Sequence, residues 1–225
     1  MSRADPQLEF ELPTWGGARK GAGRKPDGPK ARVSHAARPR ITSAIPAHVT
    51  IKLRRGLWNL RTTKPFAMVL DQIRAASSEK LRITHYSVQH DHLHLIVEAQ
   101  HARALSTGIQ GLSVRIAYHI NRLMRRTGSV MKDRFHARLL RTPREVKNAL
   151  VYLINNGRKH LEQIGRNVLL RWLDPCASVA ALGEWCPNLV LQDAAAPPVV
   201  KAQSWVLRLG FTKAGHIRLP EICKA

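Results

Sequence analysis

Hydrophobic and polar positions alternate, then recur at helical spacing, then alternate again. This rhythm runs from about residue 45 to residue 160. Val49, Ile51 and Leu53 alternate with Thr50, Lys52 and Arg54, which predicts a half-buried first strand. Pro65 suits the first turn of a helix, in which Phe66, Val69, Leu70 and Ile73 recur at helical spacing. Leu81, Ile83, His85 and Ser87 alternate with Arg82, Thr84, Tyr86 and Val88, a second strand of mixed pattern. Gln89 to Asp91 reads as a short turn, and His92 to Glu98 returns antiparallel as the other arm of a hairpin. Residues 102–126 form the longest predicted helix, with Leu105, Ile109, Leu112, Ile116, Ile120 and Leu123 on one stripe. Gly128-Ser129 turns the chain, and residues 134–141 read as a fourth strand with basic residues interleaved. The order β-α-β-β-α-β predicts an α+β fold on the ferredoxin-like or RRM-like plan: an antiparallel sheet with helices on one face.

A further helix follows the sheet. Thr142-Pro143-Arg144-Glu145 is a capping box with proline at the first helical position. Val146, Ala149, Leu150, Leu153 and Ile154 make its apolar stripe, and Gly157 is expected to stop it. Arg158-Lys159-His160 then adds charge near its end. Tyr152 lies off the stripe by about 120° at 100° per residue. A tyrosine serving only the core belongs on the stripe. Asn148 and Asn156, at i−4 and i+4, share its side, so a phenol and carboxamides project together away from the core.

Histidine placement changes the picture from fold to chemistry. A strand has a side-chain period of two, so His92 and His94 project from one face. Two neutral imidazoles on one face are a ready pair of ligands for a divalent metal, whereas the plain reading is an exposed polar strand face. His90, two residues earlier, is a further ligand only if the strand starts early.

Charge adds a partner. The 225 residues carry a formal net charge of +22, which predicts a polyanionic partner, most simply nucleic acid. Residues 16–40 mix five glycines with eight Arg and Lys and one acid, Asp27, so a tail spanning 1–44 is expected to be disordered alone. The chain thus divides into the basic tail 1–44, a core 45–160 and an irregular C-terminal extension 161–225 expected to pack on that core. Ala194-Ala195-Ala196-Pro197-Pro198 reads as a linker. Trp172, Trp185 and Trp205 anchor the extension or stack on unpaired bases, and Leu207, Leu209, Phe211 and Ile217 suggest a short docked segment. Cys176, Cys186 and Cys223 are an odd number without CxxC spacing, which suggests a reducing, cytoplasmic setting and argues against a zinc ribbon. No apolar run approaches ~20 residues, so no membrane span is expected. A secretory leader is not expected either.

Several stretches together resemble the HUH single-strand DNA transposases, and within them the REP-associated tyrosine transposases of bacteria. They are His48-Val49-Thr50, His92-Leu93-His94-Leu95-Ile96-Val97-Glu98, Arg134-Phe135-His136-Ala137-Arg138 and Ala149-Leu150-Val151-Tyr152-Leu153-Ile154-Asn155-Asn156. The resemblance covers residues 45–160, and Gly157 departs from it where many relatives have proline. It implies that His92, His94 and Asn156 bind Mg²⁺ or Mn²⁺, and that Tyr152 attacks a scissile phosphate to give a 5′-phosphotyrosine link. It further implies a hairpin-bearing single-stranded DNA substrate, strand transfer without ATP, a place at the bacterial nucleoid, and either a monomer or a homodimer. With no thiolate in that ligand set, Mg²⁺ or Mn²⁺ is favoured over structural zinc. Arg54, Arg55, Arg115, Arg122, Arg134, His136 and Arg138 are the expected DNA-backbone contacts. The competing expectation is a non-catalytic RRM-like nucleic-acid-binding module. Such modules stack bases on sheet aromatics, and the histidine hairpin has only Tyr86 to offer.

Overall fold

The computed structural model describes residues 41–167, 172–179, 197–215 and 217. Expectations for the tail before residue 41, for Trp185, Cys186 and Cys223, and for the alanines of the linker fall outside these residues. The elements in chain order are β1 (Ala47–Lys52), α1 (Thr63–Ala76), β2 (Leu81–Val88), β3 (His92–Ala99), α2 (Ala102–Leu123), β4 (His136–Leu139), α3 (Pro143–Gln163) and α4 (Trp205–Arg208). A 3₁₀ turn, Gly210–Ala214, follows α4. The sheet order is β2-β3-β1-β4 and all pairings are antiparallel. This is the α+β, ferredoxin-like arrangement that the hydrophobic rhythm predicts.

Strand parity divides the core in two. Val49, Ile51, Leu93, Leu95 and Val97 meet Val69 and Ile73 of α1 and the α2 stripe from Leu105 to Ile120. The opposite face of β3 carries His92, His94, Ile96 and Glu98. Ile96 there packs with Leu150, Leu153 and Ile154 of α3 and with Leu207 and Phe211 of the C-terminal segment. Because both faces of β3 are covered, it is buried almost throughout rather than alternating.

Buried polar groups tie the C-terminal segments down. The Glu98 carboxylate accepts the backbone N–H groups of Gln203 and Ser204, at 2.8 and 2.7 Å, beside the Arg82 guanidinium. Residues 176–178 extend the free edge of β2: Val88 N–H donates to Cys176 O at 2.8 Å and Ser178 N–H to Tyr86 O at 2.9 Å. Tyr86 itself is buried in the core. Trp205 remains 54% exposed, its ring packed between Gly210 and the Lys213 ammonium.

One expectation about α3 is corrected. The capping box forms as predicted, with Thr142 Oγ1 accepting from Glu145 N–H. The helix does not stop at Gly157, however, and continues to Gln163. Gly157 is buried inside the helix, where a Cβ would lie 1.8 Å from Asp174 Oδ2. The glycine admits a carboxylate, not a helix end. Asp174 in turn holds Arg61 through two bonds of 2.9 and 2.7 Å and accepts the Cys176 N–H at 2.9 Å.

His85 of β2 gives the fold a pH dependence. Burial pushes its pKa from 6.5 down to about 4, so it is neutral in the native state. The unfolded chain binds that proton once the pH falls below about 6.5, and the native chain does not until about 4. Stability is therefore full above the upper value and declines between the two, by up to about 3 kcal/mol from this group. Thermal melts from pH 7 to 4.5 should show a falling midpoint; a flat profile would contradict the buried neutral histidine.

Candidate active site

The register of β1 and β3 builds one side of the site. Thr50 lies opposite His94, Lys52 opposite His92 and His48 opposite Ile96. His48, Thr50, His92 and His94 therefore share the face covered by α3. His94 Nδ1 sits 3.1 Å from His48 Nε2 and 3.2 Å from Thr50 Oγ1. His92 Nδ1 donates to Asp91 Oδ1 at 2.7 Å, which orients the ring and leaves Nε2 for another partner. Lys52 Nζ, 3.7 Å from the other carboxylate oxygen, holds Asp91 in place.

The other side comes from α3. The Tyr152 hydroxyl lies 3.5 Å from His94 Nε2, and the two rings meet edge to face with centroids 5.2 Å apart. Two turns further on, the His160 ring lies 5.6 Å from that of His92. Tyr152, Asn156 and His160 are spaced by four, so they form one row along the helix. That row runs beside the pair His94–His92, with Asn156 bracketed between the two contacts. Asn156 is 3% exposed and its Nδ2 has no hydrogen-bond partner. Turning the amide by 180° exchanges its oxygen and nitrogen, so an oxygen donor is equally available there.

Electrostatics keep His94, His48 and His160 neutral. Burial, then the neighbouring His92, His48 and His160 rings, lower the His94 pKa to about 3. Burial, then His136 and Arg138, lower that of His48 to about 4. His160 is lowered too, chiefly by burial. Neutral imidazoles present lone pairs, as ligation requires. Burial raises the Tyr152 pKa, so its hydroxyl is protonated at rest. Among the described residues no three His, Cys, Asp or Glu side chains form a metal-holding group. His92, His94 and the Asn156 amide on the facing helix offer a mixed N/O donor set.

The expected DNA contacts divide. His136 pairs with Thr50 and Arg138 with His48, so both flank the site. Arg138 also reaches Glu145 at 3.1 Å and lines a cleft of about 350 Å³ with His48, Asn148 and Tyr152. Arg54 and Arg55 leave β1 exposed just past Lys52, and Arg134 is exposed two residues before His136. Arg115 and Arg122 lie on α2, behind the sheet, and are not brought to the site. His90 is exposed in the turn ahead of β3.

Sequence reasoning left Asp91, His160 and Asp174 unassigned. The steps of four from Tyr152 through Asn156 to His160 were a usable signal, and Asp91 stands next to His92. Nothing in sequence spacing couples Asp174 to Gly157.

No protein-family model matches this sequence, and no curated protein does. Among solved structures, a REP-associated tyrosine transposase bound to a REP hairpin aligns with a TM-score of 0.54 at 17% identity. The alignment covers 76% of this chain and 99% of that one. No helix among the described residues is long and apolar enough to cross a membrane. The β-α-β-β-α-β sheet with its helices is thus a fold this chain shares with a REP-associated tyrosine transposase.

Proposed function

We propose that this protein is a metal-dependent single-stranded DNA endonuclease and strand transferase that acts at hairpins through a 5′-phosphotyrosine intermediate. One observation carries the reading: Tyr152, Asn156 and His160 on α3 run alongside His94 and His92 on β3, with the hydroxyl 3.5 Å from an imidazole nitrogen. A surface tyrosine shielding the core edge has no need of that row. The solved neighbour, which holds a hairpin, supports the substrate class.

His92, His94 and Asn156 would hold Mg²⁺ or Mn²⁺, and the ion when bound supplies Lewis-acid polarisation of a phosphate oxygen. Tyr152 Oη forms the new bond to phosphorus as the bond to the 3′-oxygen breaks. The phenol gives up its proton to solvent and the departing 3′-oxygen gains one from solvent. The reverse attack by a 3′-hydroxyl reseals or transfers the strand, so phosphodiester energy is retained. His136, Arg138 and Arg134, with Arg54 and Arg55, would hold backbone phosphates on the site side. Arg115 and Arg122 would act only on DNA that reaches the far side of the sheet. Because Tyr152 and Asn156 face His92 and His94 of the same chain, a monomer would contain the whole site.

The non-catalytic RRM-like reading draws no such support. The sheet face that would stack bases is covered by α3, and Tyr86 is buried in the core. The test is a labelled hairpin oligonucleotide with a single-stranded flank, incubated with Mn²⁺. A protein–DNA adduct stable to SDS is expected, and EDTA should prevent it. Failure to form it across a range of flanks and metals would remove the enzyme reading.

A further inference from the structure

We infer that His48 is a positioning residue: it accepts a hydrogen bond from His94 Nδ1 and so fixes the His94 tautomer whose bare Nε2 faces Tyr152. The inference rests on the function proposed for this site. A neutral imidazole carries one N–H, and only the nitrogen without it can ligate an ion or accept from a phenol. For His92 the choice is already made. Its Nδ1 faces Asp91 Oδ1 at 2.7 Å, and a carboxylate only accepts, so the proton sits on Nδ1 and Nε2 is bare.

Among the described residues no carboxylate plays that role for His94. Its Nδ1 has two recorded neighbours, Thr50 Oγ1 at 3.2 Å and His48 Nε2 at 3.1 Å. A threonine hydroxyl donates or accepts with equal ease, so Thr50 alone leaves both tautomers open. The inference places the His48 proton on Nδ1, so that its Nε2, 3.1 Å away, accepts from His94 Nδ1 and removes the ambiguity. The strand register makes the contact possible. Thr50 is directly opposite His94, and His48 is the diagonal neighbour on the same face, within reach of a ring. The His48 ring also lies edge-on to Tyr152, with centroids 5.8 Å apart at 64°, and so restrains the phenol as well as the imidazole. The two imidazoles of the pair therefore have different supports, an acid for His92 and a third histidine for His94.

Ring-¹⁵N-labelled, metal-free full-length protein tests this directly. A multiple-bond ¹H–¹⁵N correlation at pH 7.5 should show His94 as the Nδ1–H tautomer in the wild type. In His48→Leu it should show the Nε2–H form or a mixture. Mn²⁺ affinity, read from the EPR signal of the free ion, should fall about tenfold or more in His48→Leu. His48→Gln, which returns an acceptor oxygen, should recover most of it, and Thr50→Val should change it less than His48→Leu does. A wild-type His94 in the Nε2–H form would overturn the inference. So would a His48→Leu protein with the wild-type tautomer and affinity. A wild-type protein that binds no Mn²⁺ would sink the proposed function instead, and the tautomer would still decide the role of His48.

Discussion

Tyr152→Phe is expected to lower strand cleavage by at least about 10⁴-fold and to abolish the SDS-stable adduct, with hairpin binding within about twofold of wild type. The substitution removes one oxygen and leaves the ring. Tyr152 is 43% exposed and stands off the apolar stripe of α3, so its contribution to packing is small. Stability should therefore stay within about 0.5 kcal/mol of wild type. The phosphate contacts proposed above come from other side chains, so affinity should survive. The loss is confined to bond formation at phosphorus. The measurement is single-turnover cleavage of a labelled hairpin, paired with a gel-shift assay on the same oligonucleotide. Residual cleavage near the wild-type rate would mean that another group, or a metal-bound water, attacks the phosphate. Because Tyr152 meets His94 of its own chain, mixing Tyr152→Phe with His94→Ala protein should not restore activity.

Gly157→Ala is expected to destabilise the protein by about 3 kcal/mol. In an ordinary helix interior the same change stabilises by about 1 kcal/mol, so the sign itself is diagnostic. Here the new methyl would sit 1.8 Å from Asp174 Oδ2. That carboxylate has a fully buried side chain and cannot retreat without breaking its two bonds to Arg61 and the one from Cys176 N–H. For a chain of this size the loss corresponds to a fall of roughly 6–12 °C in melting temperature. Asp174→Ala should also destabilise, since it leaves the Arg61 guanidinium without its acid. The double substitution should cost less than the sum, because the alanine methyl then meets empty space. Additive effects would show that the close approach is not what constrains position 157. The contact matters to the site as well. It sits one residue beyond Asn156 and ties α3 to the loop before α1, fixing the height at which Tyr152 and Asn156 face the histidines.

The sequence by itself determined the elements and the chemistry each carries. Alternation at Val49, Ile51 and Leu53 defines β1, because a pleated strand with one face on the core repeats every two residues. The Thr142–Glu145 box marks the start of α3, because its bonds are local. The offset of Tyr152 from the stripe shows that it faces away from the core, and the spacing of His92 and His94 puts them on one face. Those signals span a few residues and depend only on backbone geometry. Tertiary structure decided the rest. Which face of the sheet α3 covers, and hence that Tyr152 meets His94 while Arg115 and Arg122 lie behind the sheet, depends on the antiparallel order β2-β3-β1-β4. Position 157 inside the helix has no room for a side chain because Asp174, 17 positions later, packs against it. His48 acquires a role only when β1 pairs with β3 and sets it against His94. Such contacts join residues far apart in the chain, and they are fixed by packing and register, which no local pattern encodes.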